Sequence, residues 1–352
     1  MTTPKTPSEK QNRSIQRHNT RRNELRLDIA IGLLLLGLLI IIPIFGPGRY
    51  IIGQITLFFI WAGVVTNWNL IFGVAGIYSL AQMAVFLVGG YTAALMGFYG
   101  DAPFWISAWI GAILAGIASV IIGAATLRLR GPYVMLLTLA IAVMIQKLVV
   151  TDVECFYYEG ALCYPLTGGP RGLMKFGDFG FREFLGYKQA PLGKYYLGMI
   201  LLTISTIFAF VIIKSPFGSA FRALRDNQLL AASRGINRVK YQILVFGMSG
   251  FFTGLMGVLY AGHFKTIGTN MLEIELLLFL LSMMVVGGLG TRWGPIMGGI
   301  IIMVSNELMK EMGEWRMIAF GVITVFFIVA LREGVVGLAN NAWLRWRNRS
   351  SN

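Results

Sequence analysis

The residues of this chain that could do chemistry are few, and most are neutral. Ser79, Gln82, Tyr91 and Thr92 place hydroxyl and amide groups in an otherwise apolar run, with Gly89 and Gly90 among them. Within hydrocarbon such groups either bond a neighbouring helix or line a path for a polar solute. Both readings stay open for each residue, and the glycines allow close helix contact in either case. A neutral lining suits passage more than tight capture, because a deep affinity well slows exit. The only cysteines, Cys155 and Cys163, fall in the longest polar connection. They can close a small disulfide loop in an oxidising compartment or stand as free thiols. A metal site is not expected from them, since the histidines are His18 and His263 alone and no third or fourth ligand accompanies the pair.

Covalent chemistry has no constellation here: GxSxG, HExxH and paired CxxC patterns are all missing. A GxxxxGK[ST] phosphate loop is missing too, so any ATP-driven step must come from a partner chain. No catalytic residue and no cofactor is expected in this chain. The charged residues Lys147, Glu273, Glu275 and Glu307 lie toward the ends of apolar runs, where anchoring and snorkelling account for them better than a proton relay.

The segment 214–240 reads KSPFGSAFRALRDNQLLAASRGINRVK. Ser215 and Pro216 start a helix, and Asp226 and Asn227 turn the chain and cap a second one that Gly235 ends. Ala220, Ala223, Leu224, Leu229, Ala231 and Ala232 form small apolar faces, ringed by Arg222, Arg225 and Arg234. Such an amphipathic projection serves either as a docking element or as a basic loop resting on lipid headgroups.

These residues must be positioned by elements that live in lipid. The 352 residues are 56% hydrophobic and 13% charged, and the mean hydropathy of +0.69 exceeds what a soluble core requires. Apolar runs predict about ten helical spans, at 29–45, 51–67, 80–98, 104–127, 133–150, 195–213, 243–263, 274–289, 295–308 and 315–331. Glycine-rich 73–76 and 287–299 are places for broken or partly re-entrant helices. The expectation is an all-α polytopic protein with a basic tail at 1–27, a transmembrane domain at 28–332 and a second basic tail at 333–352. Within it, 152–193 is an extracytoplasmic loop and 214–241 a cytoplasmic one. Lysines and arginines collect at both ends, at Arg128 and Arg130, across 214–240 and at Arg292. Ten spans with both termini in the cytoplasm put every one of these groups inside, as the positive-inside rule requires. The net charge of +14 is therefore read as a topology signal and not as a nucleic-acid surface. The polar N-terminal stretch is too long for a cleavable signal peptide, which leaves a multi-pass protein of the plasma (inner) membrane.

Five ordered stretches carry a resemblance: SLAQMAVFLVGGYTAALM from Ser79, RLRGPYVMLLTLA from Arg128, LTGGPRGL from Leu166, the 214–240 segment, and VVGGLGTRWGPIMGG from Val285. They resemble branched-chain amino-acid ABC transporter permeases of the LivM type, with urea and short-amide permeases as close relatives. Ala81, Met83, Arg171 and Met271 depart from the family's usual residues, which leaves the cargo open. The resemblance implies an ABC importer permease fold without enzymatic activity of its own. It also implies a second homologous permease subunit, two ABC ATPase subunits that bind ATP and Mg, and an extracytoplasmic solute-binding protein. By the same resemblance Phe217, Gly218, Arg222, Ala223, Arg225, Asp226, Ala231, Gly235 and Ile236 would sit in an ATPase groove as a coupling helix. The cargo implied is a branched-chain or other aliphatic amino acid, or urea or a short amide; a stand-alone channel or secondary carrier is the reading from another class.

Overall fold

The computed structural model describes residues 28, 30–46, 48–100, 102–129, 131–159, 162–174, 176–313, 315–330 and 334–338. The tail at 1–27 and all of the tail at 333–352 except 334–338 lie outside the described residues. The chain divides after Gly53. The first unit holds α1 (Ala30–Phe45) and the opening turn of α2 (Arg49–Asn69).

In the second unit α2 continues through a π-helical turn, Leu70–Val74, and from Phe59 to Val74 it is buried on every side. A helix apolar all round belongs at the centre of a bundle. Around it come α3 (Gln82–Tyr99), α4 (Phe104–Ala125), α5 (Pro132–Val150) and α6 (Phe181–Lys214). Next are two short helices, α7 (Pro216–Asp226) and α8 (Gln228–Ser233), and then α9 (Arg238–Phe264). The chain goes on through α10 (Ile274–Gly287), α11 (Gly294–Leu308) and α12 (Trp315–Ala330). Among the described residues, six helices are long and apolar enough to cross a membrane. α10 and α11, of 14 and 15 residues, rise only about 21–23 Å each, less than the ~30 Å of hydrocarbon. They form a hairpin around Gly288 and Gly290, both at positive φ.

The core is a stack of α3, α4 and α9. Small residues bring the backbones together: a Cβ on Gly89 would fall on the backbone of Gly254, and one on Gly257 would fall on the Phe86 carbonyl. Lipid gives no hydrophobic push between helices, so this close approach supplies the packing that holds them. Trp61, Phe86 and Tyr260 fill the adjoining space with ring centroids 5.5–5.7 Å apart. Outward, Trp109, Ile113, Ile117 and Ile121 of α4 and Ile200, Ile204, Ile207 and Val211 of α6 are exposed, as hydrocarbon-facing stripes are.

Two expectations need correction. The span predicted to close at Asn67 runs seven residues further, because the polar residues there are interior groups with partners. α6 begins at Phe181, well before the expected 195, and is broken at Gly186 (φ 72°, ψ 167°). The loop drawn at 152–193 therefore ends in helix.

Candidate functional site

The segment after α6 folds as two helices because each boundary has its own local cause. Pro216 occupies the first turn of α7, where a missing N–H costs nothing. The Asn227 side chain accepts a hydrogen bond from Leu230 N at 3.1 Å and starts α8. Gly235, at φ 80°, follows its end in the left-handed region. α7 turns Gly218, Phe221 and Leu224 inward. A Cβ on Gly218 would stand 2.5 Å from the carbonyls of Ile212 and Ile213, so only glycine lets α7 fold back so closely on the end of α6. Phe221 packs edge-on to Tyr241 of α9 at 5.9 Å. Ala231 is buried, while Phe217, Leu229 and Leu230 are exposed.

The three arginines do not share one environment. Arg234 is exposed and Arg222 is half-buried. Arg225 turns back toward the bundle: its Nη1 donates to the Gly73 carbonyl at 2.8 Å, and its Nε pairs with Asp226 at 3.2 Å. Arg225, which the resemblance assigns to a partner's groove, reaches the end of α2 with a side chain that stays 40% exposed. One turn earlier on α2, Asn69 donates to the Thr291 carbonyl at 3.0 Å and accepts from Gly290 N at 2.8 Å. α7, the end of α2 and the α10–α11 hairpin thus form one hydrogen-bonded series. Sequence reasoning missed it, although Asn67 and Asn69 in an apolar run were a visible signal.

The four polar residues read as a possible path have separate surroundings. Gln82 is buried and donates to Ser249 Oγ at 3.1 Å and to Thr253 Oγ1, tying α3 to α9. Ser249 in turn donates to the Asn67 carbonyl at 2.8 Å, and the Asn67 amide donates to Ser205 Oγ at 2.7 Å and to the Gly63 carbonyl at 2.8 Å. The Ser79 carbonyl accepts from Trp68 Nε1 at 2.8 Å. Thr92 bonds back to the Val88 carbonyl in its own helix at 2.7 Å. Tyr91 is buried, with no hydrogen-bond partner for its hydroxyl among the described residues. Gln82 and its neighbours form a neutral knot joining α2, α3, α6 and α9.

The family described as the branched-chain amino acid transport system / permease component matches residues 50–331. The chain belongs to this family. It is 26% identical over 310 residues to the high-affinity branched-chain amino acid transport system permease protein LivM of Escherichia coli (strain K12), covering 82% of this chain and 70% of that one. It is 22% identical over 204 residues to the nucleoside ABC transporter permease protein NupC of Lactococcus lactis subsp. cremoris, covering 53% and 59%. Similarity also extends to the galactose/methyl galactoside import permease protein MglC of Escherichia coli (strain K12), at 28% over 193 residues, 51% of this chain and 54% of that one. No solved structure matches the chain. The relatives are permeases, transport components rather than enzymes, and this chain is a multi-pass ABC permease of the inner membrane.

At the far end of the permease bundle, the connection after α5 is tied down by strand pairing, by charge and by the buried Leu173, Phe176 and Phe179. β1 (Tyr157–Glu159) pairs antiparallel with β2 (Leu162–Tyr164), and β3 (Leu173–Met174) pairs with β4 (Thr266–Ile267), which follows α9. Cys155 is disulfide-bonded, and the Cys163 side chain lies outside the described ones. Asp152 accepts from the Thr167 N–H and hydroxyl, both at 2.6 Å. Lys265 Nζ lies 2.6 Å from Asp178 Oδ2, and Lys194 Nζ donates to the His263 carbonyl at 2.9 Å. Burial alone would raise the Asp178 carboxyl. The hydrogen bonds from Lys265 and Gly180 N, with the charges of Lys265 and Lys194, outweigh it and hold the group below its usual value.

Proposed function

We propose that this chain is the permease subunit of an ATP-driven importer for branched-chain or other aliphatic amino acids, handed over by an extracytoplasmic solute-binding protein. It pairs with a second homologous permease subunit, and two cytoplasmic ABC ATPases carry ATP and Mg. About ten spans with both termini in the cytoplasm put α7 and α8 on the ATPase side. The supporting observation is the seating of α7: Gly218 against α6 and Arg225 on the end of α2 join an outer helix to the bundle without burying its far face.

In this reading Phe217, Leu229 and Leu230, exposed on that face, meet an apolar groove, with Arg222 and Arg234 at its rim. Gly218, Ala223, Arg225, Asp226, Ala231, Gly235 and Ile236 set the shape of the helix pair. When the groove closes, α7 draws on Gly73, and the strain passes through Asn69 to the α10–α11 hairpin. Ser79, Gln82, Tyr91 and Thr92 border the translocation path only in a state where the neutral knot has opened. The Cys155–Cys163 disulfide stiffens the face that receives the binding protein.

Reconstitution of the chain with its partner subunits in liposomes tests the proposal through labelled leucine uptake. ATP-dependent uptake supports it, and a competent complex that moves no amino acid overturns it. The nucleoside and galactose permeases among the relatives favour keeping a second reading, the same subunit with another cargo, including urea or a short amide. A ligand screen on the cognate binding protein separates the two. Flux through this chain alone, without ATPase, would instead mark a channel or secondary carrier.

A further inference from the structure

Asp152 stands two residues past the end of α5 and is half-buried. Its Oδ2 accepts from the Thr167 N–H and hydroxyl, and among the described residues no cation pairs with it. Both donors are neutral, so the carboxylate is left without a counter-charge, and Oδ1 keeps its lone pairs for a ligand. The turn that carries Thr167 is pressed onto the end of α5, since a Cβ on Gly169 would stand 2.6 Å from the Asp152 carbonyl.

Aromatic rings gather on the same turn. Tyr99, the last residue of α3, donates from its hydroxyl to the Pro165 carbonyl at 3.1 Å, with the Leu166 carbonyl at 3.2 Å. Phe156 and Tyr157, both exposed, set their rings nearly perpendicular to that of Tyr99, with centroids 5.6 and 6.1 Å away. Two turns deeper on α3, Tyr91 is 7% exposed and its hydroxyl has no partner among the described residues. Buried hydroxyls are seldom left unbonded. The Asp152 charge reaches the hydroxyls of both Tyr91 and Tyr99.

We propose that Asp152 receives the ammonium group of the amino-acid cargo at the outer mouth, beside the rings of Tyr99, Phe156 and Tyr157, with the Tyr91 hydroxyl as the next partner inward. This rests on the importer reading above, which supplies both the cargo and the side of the membrane. The chemistry selects an organic cation: an ammonium donates to a carboxylate and is attracted by aromatic faces. A divalent metal ion instead takes several oxygen ligands, and among the described residues no three of His, Cys, Asp and Glu group together to hold one. Half exposure keeps the contact weak, which suits a hand-over point whose ligand must move on.

The test measures binding to the full chain in nanodiscs of uncharged lipid by saturation-transfer NMR. The probes are leucine, isoamylamine, which keeps the ammonium, and isocaproate, which keeps the carboxylate. Leucine and the amine are expected to bind and displace each other, and isocaproate to displace neither. Asp152→Asn removes the charge while its amide oxygen still accepts from Thr167, and is expected to weaken both about tenfold at an unchanged melting temperature. Phe156→Leu is expected to weaken both about threefold. Glu154→Gln, an exposed carboxylate of the same connection, and Thr167→Val are each expected to stay within about twofold. No binding, binding of isocaproate as tight as that of the amine, or unchanged binding in Asp152→Asn overturns the proposal. An equal loss in Glu154→Gln would show a diffuse field and an equal loss in Thr167→Val a turn that has merely loosened; each overturns it too. Labelled leucine uptake separates this proposal from the importer reading. An assembled transporter that moves no amino acid, while the amine still binds through Asp152, overturns the importer reading and keeps the ammonium site. Uptake unchanged by Asp152→Asn overturns this proposal and keeps the importer.

Discussion

The α3–α4–α9 stack and the α7–α8 pair are both helical and both rich in small residues, yet they are held in opposite ways. In the stack, glycines meet backbone across the interface and the neutral knot spends its polar groups on neighbouring helices. In α7–α8, one face is buried by Gly218, Phe221 and Leu224, the other stays open, and among the described residues Arg225 makes the hydrogen bond to the end of α2 while Phe221 shares an apolar cluster with it. The first arrangement has no slack, because a close-packed interior has one good fit. The second can tilt about its seat while remaining attached. In the proposed reading, the stack is the stiff body and α7–α8 the lever.

Gly257→Val is the strongest way to break the comparison, since it would drive a side chain into the Phe86 carbonyl. A loss of about 3 kcal/mol or more is expected, read as a lowered melting temperature in detergent or failure to accumulate in the membrane. If the variant melts like the parent, the stack is not the stiff part. Asn69→Ala removes two hydrogen bonds to the α10–α11 hairpin, about 2 kcal/mol in total at the usual net value. Its expected signature is a moderate drop in melting temperature with a larger fall in substrate-stimulated ATPase activity of the assembled transporter. A drop in melting as large as that of Gly257→Val would place Asn69 in the stiff body instead.

How much of this was legible beforehand depends on the range of the interaction. The ends of α7 and α8 could be read from Pro216, Asn227 and Gly235, because capping is settled within four residues. The apolar cores of α3, α4, α5 and α9 could be read from hydropathy alone. Asn67 looked like the end of a span, since a polar residue in lipid is costly unless bonded, and its partner Ser205 is 138 positions away. The start of α6 was hidden because Lys188, Pro191 and Lys194 read as loop, whereas Lys194 is satisfied by the His263 carbonyl from another helix. Gln82 illustrates the same limit: its spacing allowed a path lining or a helix tie, and only the position of Ser249 and Thr253 favours the tie in this conformation.

Gly235→Val sharpens the other side of the comparison. Nothing lies within 4 Å of the position a Cβ would take, but φ is +80°, so the cost is backbone strain of roughly 1–2 kcal/mol confined to the end of α8. The melt of the bundle is expected to stay near that of the parent while ATPase stimulation falls severalfold. Unchanged transport and stimulation would remove this helix end from the coupling path.

The smallest effect is expected at the opposite end, where an ion pair adds to a connection already held by the buried Leu173, Phe176 and Phe179 and by the β3–β4 pairing. Asp178 has a lowered pKa in the folded chain, so its ion pair with Lys265 adds stability above the ordinary carboxylate value of about 3.9. That contribution is lost as pH falls through the lower, folded value. The window is therefore acidic, below about pH 4, and neutral-range changes should leave the connection closed. Hydrogen exchange across 152–193 measures this: protection is expected to fall in the acidic window and to lose that pH dependence in Asp178→Asn. The β3–β4 pairing and the Asp152–Thr167 bonds persist in the variant, so the loop should loosen without detaching from α9. Should Asp178→Asn open the connection fully at pH 7, the ion pair would be its main fastening, and this face would be a second lever rather than part of the stiff body.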